Sequence, residues 1–134
     1  MNMTKRVYKK GAETVYRGIR YRSRWEVYVA KLLLYSDIHF LYEHKRFFLT
    51  RFLSYLPDFY LPSMGLYLEV KGSLSKKDKT ILSIFSKFHR IKYLGKKELC
   101  KISGRSASFL SSPDMKEYVP SKEEVRRFKR FIES

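Results

Sequence analysis

From Asp58 to Lys71 the chain reads DFYLPSMGLYLEVK, and no other segment restricts the possible folds as much. Two alternating apolar runs flank a Pro62-Ser63-Met64-Gly65 turn, the pattern of a β-hairpin with strands at Tyr55–Leu61 and Leu66–Lys71. Successive side chains on a strand point to opposite faces. Leu66, Leu68 and Val70 therefore point one way, and Tyr67, Glu69 and Lys71 the other. On the partner strand Phe59 and Leu61 share one face, and Asp58 and Tyr60 the opposite one. A symmetric turn of two or four residues pairs positions whose numbers sum to 127. Leu61 then faces Leu66, Tyr60 faces Tyr67, and Asp58 lies across from Glu69.

That register sends Phe59, Leu61, Leu66, Leu68 and Val70 toward a core. The other face carries Asp58 and Glu69, with Cβ atoms roughly 5 Å apart, and Lys71 one step along. Two opposed carboxylates repel each other unless a cation sits between them. Hard oxygen ligands with open remaining positions suit Mg²⁺ or Mn²⁺, which keep waters and accept phosphate oxygens. A lysine beside such a site can orient or deprotonate an attacking water and stabilise phosphorane charge. Glu26 supplies a third acid. At helical spacing it shares a face with Val29, Ala30 and Leu33, which directs it inward toward the sheet. Its competing role is structural, because Ser23-x-x-Glu26 is also a capping box.

Charge reinforces this picture. The 134 residues carry 29 Lys and Arg against 13 Asp and Glu, a net +16 that self-repels unless a polyanion relieves it. Residues 1–24 hold eight basic side chains and one acidic, residues 25–70 four and five, and residues 71–101 ten and two. An acidic middle between basic flanks suits a phosphate-binding surface with carboxylates at its centre. A protein that merely coats DNA has no use for them, since each repels the ligand. Arg17, Arg20, Arg22 and Arg24 are candidate phosphate contacts. So are Lys76, Lys77 and Lys79, which open a helix whose N-terminus itself attracts anions. Solvated charge is the default role for any one of these.

The lone Cys100 excludes an intramolecular disulfide and indicates a reducing compartment. His39, His44 and His89 are scattered and are expected at the surface or in packing. Glu43 is expected to pair with Lys45 or Arg46. No apolar run is long enough to span a bilayer and no secretory signal is visible, so the expectation is a cytoplasmic protein without membrane contact.

The length is that of one domain, 1–134, with a basic arm at 1–11. A short ribbon over Thr14–Arg22 leads into a helix from Ser23 to about Tyr35, and His39–Leu49 forms one or two strands. After the hairpin, Ser73 or Ser75 caps a helix to about His89, with Ile81, Leu82, Ile84, Phe85 and Phe88 as its apolar stripe. Ile91–Leu94 is a strand, residues 102–114 an exposed Ser- and Gly-rich loop, and Ser121 opens a last helix buried through Val125, Phe128 and Ile132. This order predicts an α/β fold, a mixed β-sheet flanked by helices.

Pro57-Asp58, ten intervening residues and Glu69-Val70-Lys71 resemble the signature of the PD-(D/E)XK nucleases. Tyr21-Arg22-Ser23-Arg24-Trp25-Glu26 resembles the helix motif that precedes it in one branch. That branch includes the phage endonuclease I that resolves Holliday junctions and the endonuclease subunit of certain heteromeric transposases. The likeness covers about residues 16–95, the expected nuclease core, and leaves 102–134 outside. It implies a restriction-endonuclease-like core in which the Asp58, Glu69, Val70 and Glu26 positions hold Mg²⁺ or Mn²⁺. By the same likeness Glu26, Asp58, Glu69 and Lys71 are catalytic, Lys71 assists the water, and the products are 5′-phosphate and 3′-hydroxyl ends.

The expected activity is metal-dependent endonucleolytic hydrolysis of DNA, selective for branched structures such as Holliday junctions, since the chain has no room for a separate sequence-reading domain. A nuclease subunit of a transposition, restriction or phage DNA-processing complex is the next alternative. A non-catalytic basic nucleic-acid-binding protein is the rival from another class. A monomer this small offers one site, so cutting both strands implies a homodimer or a partner protein.

Overall fold

A computed structural model describes residues 13–134, so the expected basic arm at 1–11 lies outside the described residues. In chain order the elements are β1 (Thr14–Tyr16), β2 (Ile19–Tyr21), α1 (Arg24–Tyr35), β3 (Leu41–Tyr42), β4 (Phe47–Phe48), β5 (Ser54–Tyr55), β6 (Phe59–Leu61), β7 (Leu66–Val70), α2 (Lys76–Phe85), β8 (Arg90–Leu94), α3 (Lys96–Ser103), α4 (Ala107–Leu110) and α5 (Lys122–Glu133). A 3₁₀ turn at Pro113–Lys116 precedes α5. The protein is mixed α/β, as its sequence predicts. It forms two compact units, one from the chain up to Ser36 with Cys100–Ser134, the other from Asp37–Leu99. Among the described residues no helix is long and apolar enough to cross a membrane.

In the unit built from the chain ends, β1 and β2 pair antiparallel around Arg17-Gly18, both at positive φ (50° and 80°). A tight hairpin turn of this hand needs that conformation, and glycine adopts it at little cost. Ser23 caps α1 by accepting the Glu26 N–H at 3.2 Å. The helix is buried all round from Glu26 to Leu33, beyond the single stripe its periodicity suggests. Lys31 is only 2 % exposed. Its ammonium donates to the carbonyls of Lys116 and Tyr118, both at 2.5 Å, and lies 4.8 Å from the Tyr16 ring centroid. Burial pulls its pKa below the ordinary lysine value.

The expected exposed loop at 102–114 is instead a run of capped turns, because its serines act as helix caps. Ser106 accepts the Phe109 N–H at 3.3 Å, and Ser112 the Asp114 N–H at 3.1 Å. Ile102, Leu110 and Met115 are buried there. Helix α3 also begins well before the expected loop. In α5 Phe128 and Ile132 are buried as expected, but Val125 is only half-buried and Glu124 is buried beside them. Glu124 closes a capping box with Ser121 and accepts the hydroxyls of Tyr28 and, at 2.5 Å, Tyr118.

Burial, then the bond to Glu124, pushes the Tyr118 hydroxyl up to about 12 from 10.0. A phenol that holds its proton more tightly when folded contributes its full stabilisation below pH 10.0 and loses it as pH rises toward about 12. Tyr118→Phe therefore flattens the alkaline decline of stability across that window, a result read from urea midpoints of both proteins at matched pH. An unchanged decline excludes this hydroxyl as its source.

In the middle unit the four-stranded sheet has the order β3-β6-β7-β8. β3, β6 and β7 are antiparallel, whereas β7 and β8 are parallel, joined by α2. The expected long strand at Tyr55–Leu61 is two strands. Ser54–Tyr55 pairs with Phe47–Phe48 in a separate ribbon, and Pro57, which cannot donate to a ladder, separates it from β6. Ser75 is the cap of α2, in a capping box with Asp78. The helix stops at Phe85 rather than near His89, because the Lys87, Phe88 and His89 N–H groups close tight turns onto Ile84 and Phe85 carbonyls. Phe88 consequently points to solvent, outside the expected stripe. Phe85, Ile81 and Leu82 pack on Tyr55, Tyr67, Tyr60 and Ile91, so α2 covers the tyrosine face of the hairpin. His44 and His89 stack on the Tyr60 and Phe85 rings, a packing role.

Candidate active site

The hairpin turn closes through the Met64 N–H on the Leu61 carbonyl at 3.1 Å and the Gly65 N–H on Pro62 at 3.4 Å, with Gly65 at φ 58°. A four-residue turn follows, and the register is Phe59↔Leu68, Tyr60↔Tyr67 and Leu61↔Leu66. This is the pairing read from the sequence. Phe59, Leu61, Leu66, Leu68 and Val70 are all buried, but so are Tyr67 and Glu69, which makes β7 an interior strand covered on both faces.

Asp58 and Glu69 flank the end of this ladder. They are 1 % and 8 % exposed. An Asp58 carboxylate oxygen accepts the Val70 N–H at 2.7 Å, just past the end of the ladder. Behind it, the Asp58 carbonyl accepts the Glu43 N–H at 2.8 Å, and Glu43 adopts a left-handed φ of 48°. Glu69 accepts the Tyr55 hydroxyl. Both carboxylates are thus oriented by protein donors, as ligating carboxylates commonly are.

Lys71 follows β7 and is exposed. Its N–H donates to the Leu94 carbonyl at 3.3 Å, and its own carbonyl accepts the Tyr93 hydroxyl at 2.7 Å. Gly95 permits that contact, since a Cβ there would meet the Tyr93 ring at 2.5 Å. The Lys71 ammonium lies 2.8 Å from an Asp78 oxygen, which also takes the Ser75 N–H at 2.9 Å. Burial alone would push the Asp78 carboxyl up, but the bonds from Lys71 and Ser75 outweigh it and hold the carboxyl below the usual range. An exposed pair of this kind is worth at most about 1 kcal/mol, so Lys71 can swing away from Asp78 at low cost.

Glu26 belongs to the other unit. It is buried there and its own N–H is capped by Ser23, the expected half of the capping box, while its carboxylate accepts the Arg22 N–H at 2.9 Å. Among the described residues no group of three or more His, Cys, Asp or Glu side chains could hold a metal ion. The hairpin register leaves Asp58 and Glu69 at one ladder end, with Lys71 next along the chain and its ammonium on Asp78.

The proposed phosphate contacts divide similarly. Arg17 and Arg20 are exposed on the β1–β2 ribbon, Arg20 bridging to Glu13 at 3.1 Å. Arg22 and Arg24 are half-buried, and Arg24 donates to the Ser111 carbonyl at 3.2 Å, which ties it to the fold. Lys76, Lys77 and Lys79 are exposed along the start of α2. Three supporting residues were not read from the sequence. Asp78 was legible in Ser75-x-x-Asp78, whereas Tyr55 and Tyr93 had no local signal, because strand pairing and packing bring them to Glu69 and Lys71. No family description, curated protein or solved structure matches the chain.

Proposed function

We propose that the chain is a divalent-metal-dependent DNA endonuclease with a restriction-endonuclease-like core, acting on branched DNA. The observation that carries this is the hairpin register, which puts Asp58 and Glu69 on either side of one ladder end with Lys71 next in line. The donor set fits Mg²⁺ or Mn²⁺, since both carboxylates are hard oxygen donors held in fixed orientation by Val70 and Tyr55. Asp58, Glu69 and the Val70 carbonyl would hold the ion, which when bound supplies an acidified water and neutralises charge on the phosphorane. Lys71, released from Asp78, would orient an attacking water and donate to the phosphate. The exposed lysines of α2 and the ribbon arginines attract the DNA backbone. Cutting both strands of a junction calls for a second copy or a partner protein.

A non-catalytic basic DNA-binding protein is favoured by one observation: Asp58, Glu69 and Lys71 each have a hydrogen-bonding partner within the fold. The discriminating experiment incubates the full chain with a four-way junction and a matched linear duplex, with Mg²⁺ or with EDTA. The nuclease cuts the junction only with Mg²⁺ and leaves 5′-phosphate ends. Binding without cleavage of either substrate, in Mg²⁺ and in Mn²⁺, removes the proposal and leaves the binding protein.

A further inference from the structure

The β4–β5 ribbon carries two large apolar side chains that the core does not use. Phe47 turns inward onto Phe85 and Tyr67, with ring centroids at 5.0 and 5.6 Å. Strand alternation sends its neighbour Phe48 outward, where it is 71 % exposed, and Phe52 at the ribbon tip is 88 % exposed. The tip is well braced. Thr50 Oγ1 accepts the N–H groups of Phe52 (3.2 Å) and Leu53 (3.1 Å), and the Leu53 carbonyl accepts those of Leu49 (2.9 Å) and Thr50 (3.2 Å). Phe52 is therefore presented on a closed turn. A cation lies beside the tip ring, with the Arg51 guanidinium 6.0 Å from the Phe52 centroid, while the exposed Lys45 ammonium lies 5.0 Å from the ring of the inward-turned Phe47.

Rings left in water on a ribbon and its braced turn, with a cation beside the one at the tip, match what unpaired nucleobases need: a flat apolar surface for stacking and a cation for the adjoining phosphate. We infer that the β4–β5 ribbon is a stacking element for unpaired bases, with Phe48 and Phe52 as the platforms and Arg51 on the backbone. This rests on the nucleic-acid half of the proposed function but not on cleavage. A second copy of the chain is a poorer occupant, since it brings its own +16 against the same cations. A lipid surface is poorer too, because the ribbon offers two separate rings and not a continuous apolar face.

The test measures binding of the full chain in EDTA, where no metal-dependent cutting occurs, to oligo(dT), to a four-way junction and to a linear duplex. Each of Phe48→Ala and Phe52→Ala weakens oligo(dT) binding by about tenfold and duplex binding by less than about twofold, and Phe52→Trp restores it. Both side chains are exposed, so thermal midpoints stay at the parental value. A 2-aminopurine at the junction branch point is quenched by the parent and less by Phe52→Ala. Equal losses on all three DNAs, or none, overturn the inference. So does a loss confined to phosphatidylserine vesicles, which assigns the ribbon to a membrane surface, or a loss of self-association with DNA binding intact. Failure of the nuclease proposal appears separately, as absence of cutting in Mg²⁺ by a chain that still binds oligo(dT).

Discussion

Asp58→Ala is expected to abolish Mg²⁺-dependent cleavage while preserving or tightening DNA binding. On the proposed function Asp58 holds the ion, and losing that carboxylate removes several kcal/mol of transition-state stabilisation, roughly a thousandfold or more in rate. The same change deletes a negative charge that repels phosphate, so affinity in EDTA holds or rises. Asp58 also accepts the Val70 N–H, and leaving that buried donor without its acceptor costs about 1–3 kcal/mol of stability. Asp58→Asn separates the two effects. It keeps an oxygen for Val70 and discards the charge, so it folds like the parent yet is equally inactive. Cleavage by the Asn variant at the parental rate, measured on a four-way junction, sinks the site assignment.

Phe59→Ala is the largest stability loss expected in the middle unit. Phe59 is fully buried in β6, next to Asp58, and packs against Phe40 and Tyr42 with ring centroids 5.4 Å away in each case. Truncating a ring enclosed in this way costs about 3–5 kcal/mol, from lost transfer energy and the cavity left behind. Urea denaturation should show the midpoint falling accordingly. A loss below about 1 kcal/mol would mean that the site around Phe59 collapses to fill the void, or that the ring is not buried in solution. Because β6 carries Asp58 into place, the variant also tests whether the acid pair depends on the strand. Cleavage per folded molecule should fall along with stability.

Local rules sufficed wherever the chain interacts with residues close in sequence. The 62–65 turn set the hairpin register, since side-chain parity is rigid once the turn length is known. Ser23 and Ser121 announced two helix starts, because a cap and its N–H lie three residues apart, and the third was narrowed to Ser73 or Ser75, of which the structure uses Ser75. The candidate acids Asp58 and Glu69 were legible for the same reason.

Where local signals competed, the sequence misled. The serines of 102–114 have the composition of a solvated loop, yet each cap spends its hydroxyl on a helix start, and only packing of Ile102, Leu110 and Met115 shows it. Phe88 fits the stripe of α2 by spacing but lies beyond the point where that helix ends.

What the chain determined alone was the hairpin register that leaves 58 and 69 at one ladder end, the helix caps and the excess of positive charge, all consequences of alternation, turn length and composition. What only the tertiary structure decided was which neighbours hold those groups: Val70 on Asp58, Tyr55 on Glu69, Asp78 on Lys71, and Lys31 buried against two carbonyls. Such partners meet across sheet and helix, and nothing in their separation along the chain encodes it. Burial then makes each contact matter, because a polar group removed from water must find its hydrogen bond inside the protein.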